Sequence, residues 1–341
     1  TFNGGELALS DSFDVARAVH LEAAGGTIFT DGNDSTFSGV IDGTGALTKI
    51  GAGTLTLSGT NTYTGGTAIN GGTLLISRDE NLGVKKGDLT IHGGILQLGG
   101  ELDTNRLVHL TAMGMVDTNG NNGMFSNTID GAGSLTKMGA GTLTLSGTNT
   151  YTGGTRVMGG VLSISDDRNL GASTGALSID NGTLLLTADL TSGRGVMLGV
   201  HGGTIETAAS TSSTFSGVFS NAGKLTKAGD GTLILTGANT YNGGTTVSGG
   251  ILQIGNGGAT GSIIGDVTNN GTLLSNVAGN TTLGGTISGS GGLIQAGSGT
   301  LTVTGNNTYT GPTTINAGGT LQVGNGGATG AIGGNVTNNG N

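Results

Sequence analysis

Two pairs of adjacent acids stand at matched places in this sequence, Asp79-Glu80 in LISRDENLG and Asp166-Asp167 in SISDDRNLG. Paired carboxylates can cleave a polysaccharide, one as acid and the other as base or nucleophile. An active site should differ from its own repeats, and these acids recur with their surroundings, which predicts a solvated loop. Gly171-Ala172-Ser173-Thr174-Gly175 fits the G-x-S-x-G nucleophile pattern, but that pattern works at a strand-turn-helix junction and no helix is expected. Asp31-Gly32-Asn33-Asp34-Ser35 begins like a calcium loop and lacks the glycine at position 6 and the distal glutamate. His20 and His109 occupy related segments in which the third copy carries Met197, so that position is not read as a metal ligand or a catalytic base. Arg17, Arg106 and Arg194 each follow an aspartate by three to five residues: Asp14, Asp103 and Asp189. An exposed local pair of this kind contributes under about 1 kcal/mol; a sugar-binding arginine is the other reading. No catalytic residue, metal ligand or cofactor is expected.

Composition limits the scaffold that could hold these residues. Of 341 residues 75 are glycine, one is proline and none is cysteine or tryptophan. Glycine at this density opposes helix, at about 1 kcal/mol per interior residue relative to alanine. The recurring pattern is alternation, as in Thr54-Leu55-Thr56-Leu57 and Thr142-Leu143-Thr144-Leu145, which describes half-buried strands. Twelve scattered Lys and Arg against 21 Asp and Glu argue against a nucleic-acid partner. The absence of cysteine suits secretion. No signal peptide and no long apolar run is present.

Gly51–Thr67 (GAGTLTLSGTNTYTGGT) recurs unchanged at Gly139–Thr155, and in looser form at Gly229–Thr245 and Gly297–Thr313. Its tyrosine falls at Tyr63, Tyr151, Tyr241 and Tyr309, nearly evenly until the last unit, which is shortened. Inside this long period, apolar segments return at a much shorter one: Leu55, Leu74, Ile95, Met115, Leu135, with a second series at Leu47, Ile69, Leu89 or Ile91, and Leu107 or Val108. A coil of roughly 20 residues cannot bury its own apolar face, and stacking on its neighbours solves the problem. We expect an all-β parallel β-helix with about 20 residues per coil. It is divided into repeat units at about 1–88, 89–176, 177–266 and a shortened 267–335, with a further unit starting at 336–341, all within one continuous solenoid. Both ends read as cut inside the pattern, as in a fragment of a longer polypeptide or a unit that stacks on a neighbour.

The block carries a Tyr-x-Gly-Gly-Thr corner. Its first glycine, Gly65, Gly153, Gly243 or Gly311, is present in every copy; the second is Gly66, Gly154 and Gly244 but Pro312 in the last. The proline ring locks φ at a negative value, so the first glycine is expected to hold the positive φ and the second to accept proline. The tyrosines lie about four coils apart, roughly 20 Å at strand spacing. That is too far for one glycan-stacking platform, so they are expected to pack the corners.

With AINGGTLLIS following it at Ala68–Ser77, the block resembles the autotransporter-associated β-strand repeat of passenger domains in type V secreted proteins of Gram-negative bacteria. The resemblance implies a right-handed parallel β-helix, export through a C-terminal outer-membrane barrel outside this sequence, and display or release at the cell surface. It carries no shared catalytic site. The function expected is that of a structural and adhesive stalk, meeting host or matrix glycans and proteins or stacking with like subunits into filaments. A β-helical polysaccharide lyase or hydrolase using Asp79, Glu80, Asp166 and Asp167 is the alternative, and an ice-binding threonine face a minor third.

Overall fold

Alternation produces the strands. In Thr54–Leu57 the two leucines are buried and the two threonines half-exposed, and the same in-out order runs through Thr73–Ile76 and Thr142–Leu145. In a computed structural model, which describes residues 1–339, the strand pairs are parallel and each strand is matched to one roughly a coil later. Leu47 lies beside Thr67, Thr54 beside Thr73 and Thr73 beside Ile95. The chain is a β-solenoid of about 16 turns with roughly 21 residues per turn. Residues 340 and 341, the end of the expected further unit, lie outside the described part. Two one-turn 3-10 segments, Asp79–Leu82 and Asp167–Leu170, interrupt the strands. The apolar pattern does not reveal them.

The contacts divide the chain into two compact units, residues 1–163 with 168–175 and residues 164–167 with 176 onward. The first unit has three faces. One runs from Gly5–Ala8 through Leu47–Ile50 to Ile129–Asp130, and a second from Asp14–Val15 through Thr54–Leu57 to Leu135–Met138 and Thr155–Val157. The third begins with Val19–Leu21 beside Ile41–Gly43 and resumes with Leu102–Thr104, Gly123–Phe125 and Thr142–Leu145. In the second unit, the strands Leu225–Ala228 and Thr232–Leu235 of the third repeat stand on two neighbouring sheets of the same kind.

The repeat and the coil are incommensurate. Four steps up the second face lead from Thr54 through Thr73, Ile95 and Met115 to Thr136, short of Thr142, the counterpart of Thr54. The copy has therefore passed one corner, and Thr142–Leu145 stands on the third face, not the second. The second unit behaves alike. Three steps carry Thr232 through Ile251 and Thr272 to Gly292, and the counterpart strand Thr300–Val303 lies on the next sheet. The shortened repeat omits one coil and keeps the one-face advance.

The interior series departs from expectation after Leu74. Leu55, Leu74, Leu96 and Val116 form the stack, ending on Lys137, whereas Ile95 and Met115 are half-buried. In ILQL the phase of Ile95 also carries the polar Gln97, and the wholly apolar pair Leu96 and Leu98 turns inward.

Candidate functional site: repeated corners and a locked loop

The four tyrosines are buried, each at most 1% exposed. The hydroxyl of each meets the threonine four residues on: Tyr63 with Thr67 at 2.6 Å, Tyr151 with Thr155 at 2.6 Å, Tyr241 with Thr245 at 2.7 Å and Tyr309 with Thr313 at 2.6 Å. Thr67 passes the network on by donating to the Leu82 carbonyl at 3.3 Å. Burial pushes the phenols of Tyr63 and Tyr241 well above the ordinary tyrosine range. Buried rings cannot stack on a ligand.

The corner glycines divide their work in the reverse of the expected order. Gly66, Gly154 and Gly244 hold φ of +83°, +84° and +80°, a region L side chains avoid. Gly65 has no positive φ, but a Cβ there would stand 2.4 Å from the Ala46 nitrogen and the Gly45 carbonyl carbon of the coil below. Gly153, Gly243 and Gly311 are crowded in the same way by Gly133, Gly223 and Gly291. The first position is glycine because two backbones touch there; the second is glycine because of its φ. Pro312 keeps the shared contact of the second position, since its carbonyl accepts from Leu293 as that of Gly66 does from Leu47.

An asparagine two residues before each tyrosine was missed. Asn61 Oδ1 accepts the Ile41 N–H at 2.8 Å, and its Nδ2 donates to the Asn81 carbonyl at 2.6 Å. Asn149 repeats this with Ile129 and Asn169, and Asn239 and Asn307 accept from Phe219 and Ile287. Where the tyrosine corner breaks the ladder of strands, the carboxamide supplies the missing rungs. Its presence in all four N-T-Y motifs was the available signal.

Lys49, Lys137 and Lys227 are also interior, each fully buried. Each ammonium donates to three backbone carbonyls, in the first case those of Ile50, Gly51 and Gly71 at 3.0, 2.9 and 3.1 Å. Desolvation lowers each pKa to about 8, against the opposing pull of nearby carboxylates. In the fourth copy Gln295 fills the place and donates to Gly297 and Gly299.

The acids and arginines singled out in the sequence belong together, in other pairings. Asp79 is 5% exposed, not solvated. Its carboxylate accepts from Arg106 Nε at 2.8 Å and Nη2 at 3.1 Å. The same guanidinium donates to the carbonyls of Asp79, Gly83, Val84 and Gly87 at 3.1, 2.8, 2.7 and 2.9 Å. One arginine thus holds the 3-10 turn and the loop after it. Arg194 binds Asp167 at 2.9 Å in the same arrangement. The partners lie 27 residues apart, so the local pairs with Asp103 and Asp189 do not form. Asp189 accepts from the Ser212 N–H instead, and Asp14 and Arg17 are exposed. Neither member of the lock recurs in the third repeat, where Gly257 takes the place, counted from Tyr241, that Asp79 takes from Tyr63. Beneath the loop, Gly83 lies against the Tyr63 ring.

The remaining candidates separate. Gly171–Gly175 is a loop with Ser173 exposed, and a strand follows it, not a helix. Asp34 accepts the Thr54 N–H at 2.8 Å. His20 meets Asp42 at 2.5 Å, and His201 meets Asp180 at 3.1 Å. His109 sits between Asp130 at 2.6 Å and Asp88 at 3.5 Å. Partial burial pulls its pKa down, but the hydrogen bond and charge of Asp130, with Asp88 behind it, leave it raised. His92 meets Thr111 at 2.9 Å. Among the described residues no cluster of three or more His, Cys, Asp or Glu is arranged for a metal. No helix there is long and apolar enough to cross a membrane.

Each of the four repeated blocks thus places a buried tyrosine corner on a parallel ladder of strands. Residues 47–76, 135–164, 225–254 and 293–323 match the passenger-associated-transport-repeat, which bears out the resemblance seen in the sequence. The chain is similar to the Adhesin BmaC autotransporter of Brucella suis biovar 1 (strain 1330), 40% identical over 226 residues. That stretch is 64% of this chain and 6% of the relative, so the chain spans a small part of such a protein. The likeness indicates a surface-exposed or secreted passenger. No solved structure matches the chain.

Proposed function

We propose that this chain is an adhesive, non-catalytic stalk segment of a surface-displayed passenger. A C-terminal outer-membrane barrel in the full protein would anchor it. The observation that carries the reading is the likeness to an adhesin over most of the chain. The fate of the acids supports it: Asp79 and Asp167 are held by arginines, and a carboxylate locked in an ion pair is a poor acid or base. The repeat units at 1–88, 89–176, 177–266 and 267–335 would form one continuous solenoid. Its outward threonines would meet host or matrix glycans and proteins or sibling chains. The test is adhesion of beads coated with the purified chain to epithelial monolayers and extracellular matrix. Retention above that of beads coated with an unrelated solenoid is expected. Retention no greater than that control, or turnover of a polysaccharide by the chain, would overturn the reading.

A further inference from the structure

The two copies of the arginine-locked loop act as an internal comparison. Asp79, Asn81, Leu82, Gly83, Gly87 and Leu89 are all buried, and all recur as Asp167, Asn169, Leu170, Gly171, Gly175 and Leu177. The six positions between and beside them, Arg78, Glu80, Val84, Lys85, Lys86 and Asp88, are exposed or half-buried, and every one differs in the second copy. Exposure by itself does not explain the change. Ser58, Thr60, Thr62 and Thr64 are equally exposed, and they recur unchanged as Ser146, Thr148, Thr150 and Thr152. The lock is kept and its outer surface is exchanged, as in a loop whose surface makes contacts.

In the first copy that surface overhangs a hollow of about 580 Å³ lined by Lys85, Lys86, Asp88, Asn105 and Asn127 among others. It adjoins a second hollow of about 350 Å³ that shares Lys85 and Asn105 and adds Asp103, Met124 and Ser126. Five of the twelve lysines and arginines are buried in lysine cages and arginine locks, and Lys85-Lys86 is the only adjacent basic pair. Lys85 is 67% exposed and pairs with Glu80 at 3.8 Å, a solvent-exposed ion pair of the kind that contributes little and is readily exchanged. Asp88 is directed to His109. Cationic, amide, hydroxyl and carboxylate groups thus line the two hollows together, with Lys85 and Asn105 common to both.

We infer that this groove binds an acidic polysaccharide, its carboxylate or sulfate groups at Lys85 and Lys86 and its hydroxyls on Asn105, Asn127 and Asp103. The inference rests on the adhesive reading and names its ligand class. Attraction between an anionic polymer and two exposed lysines is screened by salt, so binding weakens as ionic strength rises. In the second copy Ser173 and Thr174 replace the lysines and Thr191 replaces Asp103, so that loop lacks the lysine pair.

The test is calorimetry of the whole chain with heparin oligosaccharides, oligogalacturonate and neutral dextran oligomers. Lys85→Ser/Lys86→Thr is the informative variant, because the second copy already carries those residues on the same lock. Saturable binding to at least one acidic probe, none to dextran, and a tenfold or greater loss in the variant at unchanged melting temperature are expected. Preference for heparin over oligogalacturonate assigns sulfate; equal binding assigns carboxylate. Binding to neither acidic probe, equal binding of dextran, or an undiminished variant would overturn the inference. Adhesion of beads coated with the same variant separates the two readings: retained adhesion without acidic-glycan binding leaves the stalk standing and removes this groove.

Discussion

Gly65 and Gly66 are chemically identical neighbours with different reasons to be glycine. An added Cβ at Gly65 meets the backbone of the coil beneath, so Gly65→Ala is expected to lower stability by about 1–3 kcal/mol through overpacking. Gly66→Pro asks proline for a φ of +83° and is expected to cost more than about 1 kcal/mol, whereas Pro312→Gly should change little. Urea unfolding of the three variants checks the order. The caged lysines make a second residue-scale prediction. Their folded pKa of about 8 lies below the ordinary 10.5. Between those values the unfolded chain holds protons that the folded chain has released, so stability rises with pH from about 8 to 10. Above pH 10 the raised phenols of Tyr63 and Tyr241 reverse the slope, because the unfolded tyrosines ionise first. Urea midpoints across this range should trace the maximum, and Lys→Gln at positions 49, 137 and 227 should remove the rising limb. Gln295 shows that the corner accommodates the amide.

At the scale of elements, the 3-10 turn and its loop depend on one side chain from the following coil. Removing Arg106 leaves Asp79 as a buried unpaired charge and frees four loop carbonyl contacts. Arg106→Ala should therefore destabilise by about 3–5 kcal/mol, while Asp79→Leu with Arg106→Met should be much milder. Limited trypsin digestion reads the local consequence. Cleavage at Lys85 and Lys86 should become rapid in Arg106→Ala and stay slow in the wild-type chain. The lock was only half legible. The duplicated acids and recurring arginines are visible in the sequence, but short sequence spacing points to Asp103 as the partner. Stacking brings residues a coil apart within reach, and the partner proved to be 27 positions away.

At the scale of the molecule, the organising quantity is the mismatch between repeat and coil. Each unit moves its repeated strands one face onward between copies, so a feature carried by the repeat is presented in a new direction each time. This disfavours a single flat threonine plane of the sort an ice-binding face needs. It also predicts which length changes the fold accepts. Deleting residues 114–134 puts Leu135 in the place of Gly114, with which it pairs, and brings Thr142–Leu145 onto Leu102–Thr104. The shortened chain should fold with an undiminished β-sheet circular dichroism signal per residue. Deleting only 114–123 leaves a partial coil and should give an aggregating or protease-sensitive product. Equal tolerance of both deletions would contradict the whole-coil rule.

Alternation and period were enough to establish the strands, the length of the coil and the corners at the tyrosines, because these follow from contacts between near neighbours in sequence. The tertiary structure alone decided where Lys49 sends its ammonium, which corner glycine carries the positive φ and which aspartate Arg106 holds. All three depend on what lies one coil above or below. Nothing in a local window encodes that neighbour, since the stacking register is set by the summed burial of every coil at once.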